Sequence, residues 1–491
     1  ITVRPLSTWI GGASGNWSVA SNWDALPDLS NVLAVSVPTG RSVTYDAAAG
    51  TTNLASLTVA GLSIAGGSLN IANSLTVDSS FSKSGGTLSF GLGASASITQ
   101  ASGNLSVPGL TVASLSLNAS TGAIAQSGPV IASSLVTKSV TGTDLSGTGN
   151  QVGSFTATNS GGGDVALTNT GALSIGGIGN SGGNITVDNT GAVTTVGAVS
   201  APAGSVSIVA HSPLTIGTGG VSAGGDILLT AGGTTAATDN LTLNGAVATT
   251  GSTSSITLLA NDNLVQNANV TTSGGAVNAT AQTGAISMAP GATTSTSGGS
   301  ISYTPTAGSA TLSSLDAGSG SIALVTGGNI DPVTGFSGAN LIGDAATIVA
   351  GGNVTLNTQV KLLDVTTNGT FSILDLLTGS LISNVPAPPP VPTTVTDQVL
   401  TTVTTTQQQL LQTTDQTQPV LPPTVLGDSY STLLTSGTQT IGGTTDNFGD
   451  SGQGDKPADD KKKDDDKSKG EGTSAKKDEG KPAEKKLATC S

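Results

Sequence analysis

The sequence predicts an all-β chain, a right-handed parallel β-solenoid followed by a disordered C-terminal tail. Three observations carry that expectation: the residue composition, a short phrase that recurs at a spacing of about 21 residues, and an abrupt change of composition near residue 385.

Composition comes first. The 491 residues include 69 glycines, with 9% charged and 2% aromatic side chains. No glutamate occurs before residue 455, and the only basic residues there are Arg4, Arg41, Lys83, Lys138 and Lys361. Strong helix formers are therefore scarce, while Val, Ile and Thr suit pleated surfaces. Apart from a lysine- and acid-rich stretch near the C-terminus, five basic residues face twenty acidic ones. Such a surface repels phosphate backbones, which argues against a nucleic-acid partner. No apolar run approaches the roughly 20 residues of a membrane-spanning helix. Cys490 is the only cysteine, so neither a disulfide framework nor a cysteine-built zinc site is expected. The chain starts at Ile1 with no basic-then-apolar leader, and is expected to begin within a longer precursor.

Residues 1–49 are expected to form an N-terminal cap. The stretch WIGGASGNWSVASNW holds all three tryptophans, Trp9, Trp17 and Trp23. Bulky rings suit a plug over an open first repeat, and the rival reading is sugar stacking on those rings.

Residues 50–384 carry the repeat. The first apolar residue after each glycine-containing turn is Val165, Ile185, Val206, Ile227, Ile256, Val277, Ile301, Ile322 and Val354, at steps of 20, 21, 21, 29, 21, 24, 21 and 32 residues. Each phrase holds only a strand-length alternation such as Ile185-x-Val187 or Ile227-x-Leu229. One such unit cannot bury its apolar side alone, but parallel units stacked roughly 4.8 Å apart share one apolar column. Glycine supplies positive φ at tight corners, and asparagine tolerates left-handed geometry. The steps of 29 and 32 are expected to mark bulging loops. Pro202, Pro213, Pro290 and Pro305 are expected beside or between strands. Leu57-x-Val59, Leu69-x-Ile71, Leu75-x-Val77 and Leu88-x-Phe90 suggest shorter faces of the same solenoid. Roughly 16 rungs fit, a rod of about 75 Å. Expected inward residues are Ile185, Val187, Ile227, Leu229, Ile301, Ile322, Val354 and Leu356.

Residues 385–434 open with VPAPPPVP, an extended linker, and continue as a Thr/Gln-rich segment where Val395, Val399, Val403 and Leu410 suit one face of a short helix. Residues 435–491 lack apolar periodicity and are expected to be disordered.

Chemistry-bearing motifs are few. GIGNSG at Gly177–Gly182 matches a dinucleotide fingerprint by letter, but it leads into another strand rather than a helix. His211 is the only histidine, and a catalytic triad or zinc site needs partners for it. Asp164, Asp188, Asp226, Asp262 and Asp316 are isolated and follow the rungs, which favours corner roles over paired carboxylates for glycosidic cleavage. Asn104, Asn118, Asn184, Asn240, Asn269 and Asn353 head N-x-[ST] sequons, most of them expected from composition, with glycosylation as the minor rival reading. No cofactor, metal or catalytic residue is expected. Cys490 is either a free thiol or a tether, since an odd cysteine in a secreted chain can pair between molecules.

The phrases GGNITVDNTGAVTTVGAV, AHSPLTIGTGGVSAGGDILLTAGG and GGAVNATAQTGAI resemble the repeats of filamentous-haemagglutinin-like exoproteins, exported by Gram-negative bacteria through two-partner secretion. The GNWSVASNW opening is similar to units near the start of bacterial surface β-solenoids. The resemblance spans roughly residues 10–384 and rests on repeat style. The Asn-Pro-Asn motifs of the family's N-terminal secretion domain do not occur, so the chain looks like a C-terminal portion of such an exoprotein. An autotransporter is a weaker match, because no series of strands for a membrane barrel follows residue 384. The resemblance implies a non-enzymatic, secreted or surface-displayed adhesin or fibre, not membrane-spanning, with an outer-membrane two-partner-secretion transporter as partner. It names no receptor. A β-helical polysaccharide-active enzyme and a purely architectural matrix protein are the rivals.

Overall fold

Thr, Val, Ile and Ser alternate along short segments that glycine and asparagine interrupt, and in the computed structural model those segments are strands of a parallel β-solenoid of about 16 turns. The structure describes residues 6–27, 34–232 and 238–383. The expectations for residues 385–491, Cys490 included, lie outside the described residues.

Nearly every strand pairs in parallel with the strand one rung away. The marker residues form one column on the broadest wall: Val165, Ile185, Val206, Ile227, Ile256, Val277, Ile301 and Ile322 each stand opposite the next. Between residues 193 and 316 two narrower walls of strands two or three residues long complete each rung, for example Leu214–Ile216 and Val221–Ala223. Alternation then decides burial. In Ile185–Asn189 and Val206–Ala210 the first, third and fifth residues point inward and are buried. All eight expected inward residues are buried, none more than 2% exposed.

Val354 is buried but belongs to a different wall. It stands above Ile330, whereas Ile322 is followed in its own column by Ala346 and then Leu363. The apparent step of 32 is therefore no bulging loop. Every wall begins with the same polar-corner-then-apolar wording, and the sequence does not say which wall a phrase opens. The step of 29 does contain an excursion: Ala231 to Leu241 takes ten positions where Ala210 to Leu214 takes four.

Of the expected shorter faces, Leu88-x-Phe90 is the short strand Thr87–Phe90, whereas the other three lie in long strands, Thr51–Ile64 and Ser68–Lys83, which turn a corner without leaving the sheet. Register shifts at Leu54/Ser56 and Val59/Gly61 absorb the bend. Pro305 is the last residue of the strand Ile301–Pro305, where its carbonyl still accepts from Gly327.

The boundary expected at residue 50 moves. Ser7 stands opposite Val35 and Val35 opposite Leu57, while Ser14 stands opposite Ser42 and Ser42 opposite Gly61. Residues 7–27 and 34–45 thus belong to the first turns of the stack itself, and the tryptophans fill their interior.

Corners are held by side chains that reach the next rung's backbone. The N–H of Asn184 donates to Asp164 Oδ1 at 2.7 Å, Ser205 to Asn184 Oδ1 at 2.9 Å, Asp226 to Ser205 Oγ at 3.1 Å, and Ser255 to Asp226 Oδ1 at 2.7 Å. One residue type after another satisfies an amide that the turn would leave unpaired. Glycine serves two purposes here. Gly163 has φ of 88°, the left-handed role read from sequence, while a Cβ on Gly183 would lie 2.2 Å from Gly163 O. The second is a requirement of stacking, because successive corner backbones touch.

Polar residues also enter the core. Tyr303 and Gln266 are fully buried, with Tyr303 Oη 2.5 Å from Gln266 Oε1 and 2.6 Å from Thr294 Oγ1. Burial holds the Tyr303 phenol well above its ordinary range, so it stays a neutral donor. Asn169 Nδ2 donates to Asn189 Oδ1 at 2.9 Å, and Asn159 Nδ2 to Asn180 Oδ1 at 2.8 Å, both pairs one rung apart.

Candidate binding surface

The outward positions of the strands form columns as regular as the core. One column runs Ser56, Ser74, Ser95, Ser114, Ser134, Ser154, Ser174, Thr194, Thr215 and Thr242, each opposite the next. None of these side chains is buried. Ser74 Oγ donates to Ser56 Oγ at 2.8 Å. Beside it stand Thr58, Thr76, Ser97 and Ser116, in mutual register. The hydroxyl rows thus repeat every roughly 4.8 Å along the stack and every roughly 6.6 Å along the strands. This grid was legible in the wording ASLTVA, NSLTVD, ASASIT, ASLSLN, SSLVTK and GSFTAT, whose leading serine recurs at the rung step. Attention to apolar markers alone passes over it.

Trp9, Trp17 and Trp23 lie elsewhere, in the core, with exposures of 2%, 1% and 3%. Trp9 and Trp23 meet edge to face at 5.0 Å, Trp17 and Trp23 at 4.7 Å, and Trp17 leans on Tyr45 at 5.3 Å. Rings so packed have no free face for a sugar.

The aspartates act one by one. Asp164 and Asp226 hold corners; Asp262 Oδ2 accepts from Asn263 Nδ2 at 2.9 Å, and Asp316 Oδ1 from the Gly318 N–H at 2.9 Å. The sequon residues Asn184, Asn240 and Asn353 likewise accept from main-chain amides of the next rung. Among the described residues no group of three or more His, Cys, Asp and Glu is placed to hold a metal. The GIGNSG stretch ends the strand Leu173–Gly182 and precedes the strand Ile185–Asn189, so the helix a dinucleotide site requires does not follow it. No helix among the described residues is long and apolar enough to cross a membrane.

His211 pairs with Asp188 one rung below, Nε2 to Oδ1 at 2.9 Å. The hydrogen bond to Asp188 raises the imidazole's pKa above 6.5, against the opposing effect of partial burial. The pair links two successive rungs, and among the described residues no hydroxyl hydrogen-bonds the ring. A folded-state pKa above the unfolded value stabilises the fold in full below pH 6.5 and loses that contribution as pH rises through the raised value. Stability should therefore fall slightly as pH rises through neutrality, by at most about 1 kcal/mol, and His211→Gln should flatten the profile. An imidazole titration followed by NMR, with Asp188→Asn returning the midpoint toward 6.5, checks it.

No family model, no curated protein and no solved structure matches the chain.

Proposed function

We propose that the chain is the solenoid portion of a secreted or surface-displayed bacterial adhesin or structural fibre of the filamentous-haemagglutinin type. On this reading it is not an enzyme, and an outer-membrane two-partner-secretion transporter exports it. The observation that carries the reading is the unbroken hydroxyl column through ten successive rungs, from Ser56 to Thr242. A regular outward grid of hydroxyls suits many weak contacts to a repetitive partner. Repetition turns such contacts into avidity that exceeds any one of them by about 10²–10⁴. Regularity of that kind also suits an architectural fibre, whose hydroxyls would meet only water.

The two are separated by charge. Changing Ser95→Lys, Ser114→Lys and Ser134→Lys together places three ammonium groups on the grid, outside the core. Adhesion of cells or glycans to the immobilised protein should drop on the order of tenfold or more, with thermal stability unchanged. Binding equal to that of the unaltered chain would remove the column as a contact surface. Absence of binding in both proteins would favour the architectural role.

A further inference from the structure

The inward columns are sealed through the body and less so on the last turn. Val354, Leu356, Ala346 and Ile348 are at most 2% exposed. One rung further the same columns hold Phe371, Ile373, Leu363 and Val365. Of these, Phe371, Leu363 and Val365 are only partly buried. The strand Ser380–Ser383 runs back antiparallel over Phe371–Asp375 and sets Ile382 opposite Ile373, on the same face. Ile373 is fully buried, but Ile382 is 40% exposed. The last turn thus shows part of the apolar interior in cross-section.

The first turn carries apolar surface of another kind. Asn22–Asp24 lie back across Thr8–Ile10: the Ile10 N–H donates to Asn22 O at 2.8 Å, and the Asp24 N–H to Thr8 O at 3.0 Å. Trp9 and Trp23 pair within this fold-back, and their rings fill the core. Leu6, Ile10, Val19 and Leu26 remain outside it, 53%, 62%, 42% and 37% exposed. Among the described residues the other large apolar side chains so exposed are Leu362 and Leu377, also on the last turn, and Leu92, Val136 and Val196 along the body.

Exposed apolar surface therefore collects at the two ends of one stack, and such patches mark contact surfaces. The ends also match. One wall pairs strand to strand from Ser7–Thr8 to Phe371–Asp375, so the first and last turns share its place in the rung. On that wall each end finishes in an antiparallel fold-back. A second copy covers both patches with a single kind of contact. Pairing of like ends would cover only one.

We infer that a second copy of this chain docks its first turn on the last turn, burying Leu6, Ile10, Val19 and Leu26 against Leu362, Ile382 and the ends of the core columns. The joint is heterologous and does not close, so it propagates into filaments. It rests on no part of the adhesive reading, and an architectural fibre would use it directly.

Sedimentation of the full chain tests it. Native protein should associate as concentration rises, into particles that lengthen without thickening in small-angle scattering. Ile10→Lys with Leu26→Lys, or Leu362→Lys with Ile382→Lys, should each weaken association on the order of tenfold or more. Hydrogen exchange at Ile227–Ala231 should stay unchanged in both, which shows that the fold is kept. Val196→Lys, at a side chain 65% exposed along the body, should leave association as it was. Mixed together, the two end variants should form one-to-one pairs and nothing larger, because each keeps the end the other lacks. A native chain that stays monomeric at every concentration overturns the inference. So does native-strength association of either end variant alone, or an equal loss from Val196→Lys.

Discussion

Ile227→Asp is expected to destabilise the solenoid by on the order of 5 kcal/mol. Ile227 is fully buried and stands between Val206 and Ile256 in the column of the broad wall. A carboxylate there meets apolar side chains above and below, with no donor from the neighbouring rungs. It either stays charged without a partner or takes up a proton at a cost of similar size. Since each rung contacts only its neighbours, the damage should spread by proximity rather than uniformly. Hydrogen exchange should accelerate first at Val206–Ala210 and Ile256–Ala260, and last near Leu110–Ala119. Denaturant unfolding supplies the total. Leu228→Asp is the control, because its side chain points outward and is only partly buried. A similar loss from both changes would show that orientation within the strand is not what matters.

Trp17→Ala is expected to cost about 3–5 kcal/mol, the range for removing a large aromatic from a packed core. Trp17 is 1% exposed and sits between Trp23 and Tyr45. Its removal would leave a cavity within the first turns of the stack. One circumstance lowers the figure: the indole Nε1 of Trp17 is buried and has no hydrogen-bond partner among the described residues, while Trp9 and Trp23 each donate to a backbone carbonyl. Losing an unsatisfied donor returns part of its desolvation penalty, about 1–3 kcal/mol. Trp17→Phe should therefore be far milder than Trp17→Ala, and Trp23→Phe should be worse than Trp17→Phe. Thermal unfolding of the three variants, with exchange at Ser42–Tyr45, gives the order directly. Equal effects of the two phenylalanine changes would contradict this account of the donor.

Neither effect could be ranked from sequence. The Ile227 environment follows from periodicity, but the Trp17 donor is orphaned only because of where the chain brings three rings and Tyr45 together. The same divide runs through the polar groups. Asp164 and Asp226 were legible as corner residues because they recur with the rungs. The Gln266, Thr294 and Tyr303 network was not, because its members come from three different strands, Leu264–Gln266, Thr293–Ser295 and Ile301–Pro305, in successive rungs. Val354 shows the converse. Its wording matches that of Ile322, yet it opens another wall, since local sequence specifies a strand start and only rung-to-rung pairing specifies which strand start.

By itself, the sequence determined the all-β class, the parallel stacking, the rung step and the inward residues from Val165 to Ile322. Those follow from strand alternation and from the inability of one short unit to bury its own apolar side. Tertiary structure alone decided which residues share a column. It made residues 7–27 and 34–45 part of the first turns rather than a separate plug, and carried the serine row on through Ser174, Thr194, Thr215 and Thr242. The physical reason is that register between rungs is set by backbone pairing between residues about 20 positions apart. Corner lengths vary from rung to rung, so that pairing cannot be counted off along the chain.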